Sequence, residues 1–468
     1  MKSVLFVFIR ISVSDFMFQL KKVYLTGIGG IGVSALARFF VSKGIKVEGS
    51  DAERSEITEG LEKAGIKVNY EQKDENITED IDLLIYSAAV PDGNLERCKA
   101  KQLGIKQKSY FEALADVTED YDLVSVTGTH GKSTTTAMIA KILIDADKDP
   151  SAIVGSQCEG LDGNFRAGNS DLFVLESCEY RAHMLLLNPQ SIVLTNIEED
   201  HLDYYKDLNH IIQTFQQFVN KIKGESEKNK VLIYNNDDVN IRKLEMPDCK
   251  KISYGLVHGA DLWAEKIKKE SGKQIFTANF QGHDLGEFEL IVPGDFNIYN
   301  ALAAIAYSLT LDIPVGKIKE SLKKFRGIWR RFEIIKDEKF TLVSDYAHHP
   351  TAINETLKAA REFYTGKRVV CVFQPHQHDR TQKLFDQFVT SFANADVLVM
   401  SEVYDVNGRN ENSNVSSQDL IAKIDLQEKY YCKDLTETTK TVNSVVKNND
   451  VVIVMGAGDI FQIVKSIK

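Results

Sequence analysis

The chain has 468 residues, 43% of them hydrophobic and 26% charged, with a net charge of −10 at neutral pH. That length exceeds one core and predicts about three domains, at roughly 100–200 residues each. The acidic balance excludes a nucleic-acid groove or an anionic membrane surface as the main partner. It leaves room for an anionic small molecule held by backbone amides and a few Lys or Arg.

The first segment, MKSVLFVFIRISVSDFMFQLKK, has an apolar run broken by Arg10 and Asp15. It is too short to span a bilayer and lacks a small-residue cleavage site. We take Met17 as the start and leave residues 1–16 out of the fold. Residues 22–116 then alternate strand and helix: KVYLTGIG, the helix GVSALARFFVSKG ending at Gly44, IKVEGSD, and DLLIYSAAV closed by Pro91 and Gly93. Such runs predict a parallel sheet with crossover helices. The polar stretch at 115–122 is a linker. A second series follows in DLVSVTG, DLFVLES, SIVLTNI and VLIYNN, then a strand-rich stretch at 250–293 and a helix after Pro293-Gly294. The charge-dense stretch at 221–230 reads as a solvated loop. A third series opens near 325 with FTLVSDYA, RVVCVFQ, ADVLVMSE and DVVIVMGAG. The fold class is α/β, in three consecutive domains, with sites expected at the carboxyl ends of the sheets. The six cysteines form no C-x-x-C pair and read as reduced thiols of a cytoplasmic protein.

Two glycine turns carry the chemistry. GIGGIG matches G-x-G-x-x-G at Gly27, Gly29 and Gly32, between a strand and a helix. Glycines let the backbone approach a pyrophosphate and helix amides bind it, with Asp51, about 20 residues on, as the acidic partner. Taken alone, this predicts a diphosphate nucleotide such as NAD or FAD. TGTHGKST is a near match to the P-loop, with Val126 where the strict pattern has Gly. Gly131, Lys132 and Ser133 are intact: Lys132 neutralises β- and γ-phosphates and Ser133 ligates Mg²⁺. Carboxylates for a metal stand at the ends of the next two strands: Glu176 and Glu179, then Glu198, Glu199, Asp200, His201 and Asp203. The pairs His348-His349 and His376/His378 lack Cys and i, i+4 spacing, so they do not read as a zinc site. Cys178 reads as a packed residue.

In this order, GTHGKST, NIEEDHLDYY, PGDFNIYNALAA, RRFE and SDYAHHP resemble the Mur ligases, ATP-dependent enzymes that build the peptide of bacterial peptidoglycan. The resemblance spans about residues 20–468. GIGGIGVSALA and FQPHQHDRT are similar to the branch that joins L-alanine, the first amino acid, to UDP-N-acetylmuramate. The resemblance implies a Rossmann-like UDP-sugar domain at 20–118, a P-loop ATP domain at 119–325, and a Rossmann-like amino-acid domain at 326–468. It implies ATP, two Mg²⁺ ions, small-molecule substrates and a cytoplasmic location, and leaves the oligomeric state open.

Site residues follow by motif. Gly27, Gly29, Gly30, Ile31, Gly32, Ser34, Asp51 and Ser87 fall on the uridine-nucleotide side, and His130 approaches the muramyl carboxylate. Gly128, Thr129, His130, Gly131, Lys132, Ser133 and Thr134 wrap the ATP phosphates. Asn297 and Asn300 stand at the adenine, Asp345 at the ribose. Arg331 reaches the phosphates from the third domain. Ser133, Glu176 and His201 are the implied metal ligands; Lys132, Glu176, His201 and Arg331 carry catalysis. His348 and Arg380 face the amino acid. Gly327, at 325–330, marks the implied hinge.

The chain departs from the family pattern at Phe296, where His is usual, at Gln377, which replaces an expected Arg, and in ESCEYR. Later Mur ligases carry a modified lysine where Phe215-Gln216-Gln217 stands here. The nearest alternative is the recycling ligase that attaches a tripeptide to the same sugar nucleotide. A nicotinamide oxidoreductase, or a non-catalytic nucleotide-binding protein, would give no role to Lys132, Glu176 and His201.

Overall fold

Three sheets follow one another along the chain in the computed structural model, which describes residues 20–158, 160–161, 163–222, 230–270, 273–404 and 415–468. The reading of residues 1–16 and Met17 lies outside the described residues, as does 223–229 of the charged loop.

The first sheet has the order Lys67–Asn69, Lys46–Ser50, Lys22–Thr26, Leu83–Tyr86, Lys106–Ser109, all parallel. Its central strand is buried throughout, which fits the apolar middle of KVYLT. The outermost strand, KQKS, has no apolar residue and escaped the sequence reading; polar side chains protect such an edge. The helix Ile31–Ser42 leaves directly from the glycine turn, and Gly44 ends it with φ +77°.

The central sheet has ten strands. Around the P-loop the order is Val231–Asn235, Ser191–Leu194, Asp122–Thr127, Leu172–Glu176, Ser151–Ile153, all parallel. The strand-rich stretch forms an antiparallel meander, Leu262–Glu270, Lys273–Phe280 and His283–Leu290, at one end. Val126 is fully buried in mid-strand, paired with Val193 and Glu176. The turn therefore begins only at Gly128, and a glycine at 126 would serve no geometric need. The helix Lys132–Asp145 that follows packs on Asp295–Thr310, whose small face Ala301, Ala303, Ala304 and Ala306 is fully buried.

The third sheet runs Glu333–Asp337, Thr341–Asp345, Val451–Met455, Val369–Phe373, Val397–Ser401, Glu428–Cys432, parallel except for the first pair.

The joints differ in kind. The first and second domains share one apolar core, in which Phe39 meets Phe165 and Phe173 at 6.2 Å and Tyr121 at 6.4 Å between ring centroids. The third domain meets the second largely through polar bonds. Ser156 Oγ donates to Trp329 O at 2.7 Å, Trp329 N to Gln157 O at 3.0 Å, and Lys383 Nζ to Leu202 O at 2.7 Å. A polar joint of this kind suits a domain that moves.

Candidate active site

The strand Asp122–Thr127 delivers the chain into Gly128-Thr129-His130-Gly131, and Lys132 opens the next helix. Gly131 caps that helix with φ +81°, and a Cβ there would lie 2.5 Å from Asn300 Oδ1. Glycine is therefore required twice over, by backbone conformation and by contact. The end of the neighbouring strand shapes the loop. His130 N donates to Asn196 Oδ1 at 2.7 Å, while Thr195 Oγ1 and Asn196 Nδ2 both donate to His130 O, at 2.7 and 3.0 Å. No side chain caps the helix, so its first amides remain available to an anion.

Lys132 Nζ lies under this loop. It donates to Gly128 O at 2.5 Å and Thr129 O at 3.0 Å, and pairs with Glu179 at 2.9–3.0 Å. Burial opposes the lysine's charge, but Glu179 outweighs it, and the ammonium titrates above its ordinary range. Burial likewise disfavours the Glu179 carboxylate, yet Lys132 and His201 hold it below the ordinary carboxylate range. His201 Nε2 stands 3.4 Å from Glu179 Oε1. Beside them, Ser133 Oγ donates to Glu176 Oε1 at 3.0 Å, and Gly155 N to Glu176 Oε2 at 2.6 Å. Ser133 and Glu176 thus gather hard oxygen donors at the first turn of the P-loop helix, the kind Mg²⁺ prefers, with the His201 imidazole reaching in from the next strand end. Glu179 is among the carboxylates that the sequence offered to a metal, and its partners here are Lys132 and His201. The chain bends just after Glu179, at Arg181 and Ala182, with φ +52° and +57°, which no sequence pattern announced. Cys178 lines the same cleft, but burial and Glu179 push its thiol up to about 12, which leaves it unreactive.

Asn297 and Asn300 are buried on the helix Asp295–Thr310. Asn300 Oδ1 accepts from Thr135 Oγ1 at 3.1 Å, and its Nδ2 donates to Asn297 Oδ1 at 3.1 Å, tying this helix to the P-loop helix. Phe296 lines the cleft one residue before Asn297.

From the third domain come Arg331, Asp345, His348 and Arg380. The Arg331 guanidinium lies 4.8 Å from the centre of the Tyr346 ring. Asp345 accepts from Phe332 N at 2.6 Å and Ala347 N at 2.7 Å, and burial raises its carboxyl against the pull of Arg331. His348 is held far below its ordinary pKa by burial and by Arg380. Arg380 donates to Asp200 Oδ1 of the central domain at 3.0 Å. Gln377, the departure from the family's arginine, is buried with φ +72° at the start of the same short helix.

On the first domain, Gly30, Ile31, Gly32 and Ser87 line the cleft. The other expected residues serve the turn rather than the cleft. Gly27 N donates to Ser50 O at 2.8 Å, Gly29 N to Asp51 Oδ2 at 2.7 Å, and Ser34 Oγ to Ile31 O at 2.9 Å. Asp51 therefore braces the glycine turn from below. Three further residues belong here: Tyr110, against which a Cβ at Gly32 would lie 2.6 Å away, and Phe111, stacked at 3.6 Å on His183 of the central domain. Burial and Arg181 push the His183 imidazole down to about 4. Only their position after the strand Lys106–Ser109 and in the 3₁₀ turn Tyr180–Leu186 reveals them, and the sequence reading had neither element.

One cleft of about 950 Å³ joins all these surfaces, touched by the P-loop, Glu176, His201, Asn297, Asn300, Arg331, Asp345, His348 and Arg380. A chemistry site open to three domains suits a reaction among three molecules. Comparison with known proteins identifies the class. "Mur ligase family, catalytic domain" matches residues 22–122, "Mur ligase middle domain" 126–308, and "Mur ligase, glutamate ligase domain" 330–458. The chain belongs to the Mur ligase family. Among its relatives are the UDP-N-acetylmuramate--L-alanine ligases of Clostridium kluyveri, 40% identical over 95% of this chain and 97% of theirs, and of Clostridium novyi, 39% identical over 95% and 96%. The crystal structure of UDP-N-acetylmuramate-alanine ligase MurC from Thermotoga maritima superposes with a TM-score of 0.80 and 29% identity, covering 95% of this chain and 98% of that one. A murein peptide ligase from Psychrobacter arcticus shares the fold, at a TM-score of 0.70 and 23% identity. Among the described residues, no helix is long and apolar enough to cross a membrane.

Proposed function

We propose that the chain joins L-alanine to the lactyl carboxylate of UDP-N-acetylmuramate with ATP, giving UDP-N-acetylmuramoyl-L-alanine, ADP and phosphate for peptidoglycan synthesis. The single cleft onto which the P-loop, the glycine turn of the first domain and Arg380 of the third domain open carries this reading. The names and identities of the relatives support the choice of amino acid. ATP as substrate and the lack of any C-x-x-C pair in the sequence support a cytoplasmic setting.

A carboxylate and an amine do not condense at neutral pH without activation. The γ-phosphoryl group passes to a lactyl oxygen, giving an acyl phosphate and ADP. The alanine nitrogen then attacks the carbonyl carbon, and phosphate leaves with the oxygen that carried it. Positioning and charge neutralisation supply most of such catalysis. In this scheme Lys132 leaves Glu179 for the β- and γ-phosphates, and the uncapped amides of the P-loop helix hold the same anion. Ser133, Glu176 and His201 would hold Mg²⁺, which neutralises phosphate charge when bound. Arg331 approaches the phosphates from the third domain, and Asn297, Asn300 and Asp345 bind the nucleoside. His130 meets the sugar acid, while His348 and Arg380 receive the alanine carboxylate. Closure of the third domain about Gly327, φ +88°, excludes water from the acyl phosphate.

The test is phosphate release with UDP-N-acetylmuramate and L-alanine, glycine, L-serine or the L-Ala-γ-D-Glu-diaminopimelate tripeptide. Turnover with alanine that disappears in Lys132→Ala supports the reading. Turnover with the tripeptide alone would replace it with peptide recycling.

A further inference from the structure

His130 of the P-loop, Glu198 at the end of the next strand and His349 of the third domain converge at the rim of the cleft. Among the described residues, they form the one group of three His, Cys, Asp or Glu whose ligand atoms all lie within 4.8 Å of one another. The reaction proposed above gives Glu198 and His349 no work. His130 Nε2 is buried without a hydrogen-bond partner and stands 3.6 Å from Glu198 Oε2.

The surroundings prepare all three groups as ligands. His349 Nε2 stands 3.0 Å from Glu199 O, so it carries the proton, and Nδ1 keeps its lone pair. That lone pair accepts a long capping hydrogen bond from Thr351 N at 3.4 Å, which an ion would replace. Thr351 Oγ1 donates to Glu198 Oε2 at 2.8 Å and fixes the carboxylate. A second shell that fixes the imidazole tautomer and orients the carboxylate is what metal sites carry. Burial and the neighbouring His130 push the His349 imidazole down to about 4, leaving it neutral at physiological pH. Burial resists the Glu198 charge, but His130 and Thr351 hold its carboxyl down to about 2.

We infer that His130, Glu198 and His349 form a site for a borderline divalent transition ion of the Zn²⁺ class, bridging the central and third domains. Two imidazoles and one carboxylate suit Zn²⁺ and disfavour Mg²⁺, which takes oxygen donors. Ligands 2.0–2.1 Å from one zinc ion stand about 3.4 Å apart, so from a group within 4.8 Å binding would draw the atoms together by at most about 1.4 Å. Since His349 belongs to the third domain, the ion pins that domain against the P-loop. The fourth position of the tetrahedron is left to water or an anionic oxygen from the cleft.

The experiment uses the full chain, stripped with EDTA and titrated with Zn²⁺ by calorimetry, with 5 mM Mg²⁺ present throughout, and with Co²⁺ as a spectroscopic probe. One ion per chain is expected, with tetrahedral cobalt bands. His130→Gln, Glu198→Gln and His349→Gln should each weaken binding at least about tenfold. His201→Gln should leave it unchanged. The three ligand variants lie in two domains, so loss of fold in one leaves the others informative, and circular dichroism identifies it. The site is overturned if Mg²⁺ displaces the ion, if the ligand variants bind as the parent does, or if His201→Gln alone abolishes binding. These binding readouts are independent of the ligase reaction, so failure of either proposal is distinguishable from failure of the other.

Discussion

The pair Arg380–Asp200 is the contact through which domain closure can be measured. Its side chains are 8% and 10% exposed, and Arg380 belongs to the third domain while Asp200 belongs to the second. Removing one partner of a buried pair costs about 3–5 kcal/mol. Asp200 keeps one bond from His201 N at 2.7 Å, so the loss in Arg380→Ala falls to roughly 2–4 kcal/mol. Because opening the domain rehydrates Asp200, that loss falls on closure and leaves the folding of either domain intact. At 1.4 kcal/mol per tenfold, the closed-to-open ratio drops roughly 30- to 700-fold. The assay is small-angle scattering of the ligand-free chain. Arg380→Ala and Asp200→Asn should each raise the radius of gyration, and the double variant should add little to either. Burial pushes the Asp200 carboxyl up, but Arg380 outweighs it and holds the group well below the ordinary range. A depressed carboxyl contributes its stability above the unfolded pKa and loses it as pH falls through the folded value. Acidification from pH 7 to pH 5 should therefore leave closure by this pair intact. An unchanged radius together with a lowered melting temperature would refute the reasoning, since the pair would then hold a fold and not a joint.

Four further outcomes are expected. Lys132→Ala should lower phosphate release at least about a hundredfold while leaving UDP-sugar affinity within a few fold, as measured by coupled assay and calorimetry. Glu176→Gln should raise the Mg²⁺ concentration needed for half-maximal rate, read from a magnesium titration at fixed ATP. Glu96, fully buried, accepts from Tyr24 Oη, Thr26 Oγ1, Ser50 Oγ and Asn76 Nδ2 at 2.6–2.8 Å; Glu96→Ala strands four donors and should cost at least about 3 kcal/mol in chemical denaturation. The depressed His183 imidazole makes the folded form favour the neutral ring. Its contribution is full above the ordinary pKa near 6.5 and falls away as pH drops toward 4, so Phe111–His183 stacking, followed by proteolysis between the first two domains, should weaken over that window.

The sequence made most of the parallel strands legible because they are short, largely apolar runs, and it located the glycine turns because both stand between strand and helix. What it concealed lies where side-chain polarity misrepresents position. KQKS and KVN are strands held by their neighbours' ladders, and the half-exposed EKYYC completes the third sheet at its edge. At the site, the spacing of Lys132 and Ser133 was readable because one helix turn fixes it. The pairing of Lys132 with Glu179 was not, since 47 residues of chain separate them. Asp51 shows the opposite difficulty. Its position after the second strand is that of a ligand-binding acid, yet its carboxylate bonds to Gly29 N, and only coordinates distinguish the two uses.

Part of the left-handed backbone at non-glycine residues stands beside side chains that line the cleft. Arg181 and Ala182 follow Glu179, His201 itself has φ +53°, Arg330 and Phe332 flank Arg331 with φ +55° and +49°, and Gln377 precedes Arg380 with φ +72°. Left-handed backbone at a non-glycine residue is disfavoured and persists only where the surroundings fix it. Here the fixing contacts are visible: Arg330 donates to the carbonyls of Gly456 and Gly458 and stacks between Tyr346 and Phe461, and Gln377 N bonds to Tyr404 O at 3.1 Å. The buried Arg330 thus holds the bend that turns its neighbour Arg331 toward the cleft. Two adjacent arginines divide the labour, one spent on the backbone of its own domain and the other left lining the cleft. The RRFE motif joins both because the bend that frees one requires the other to be buried.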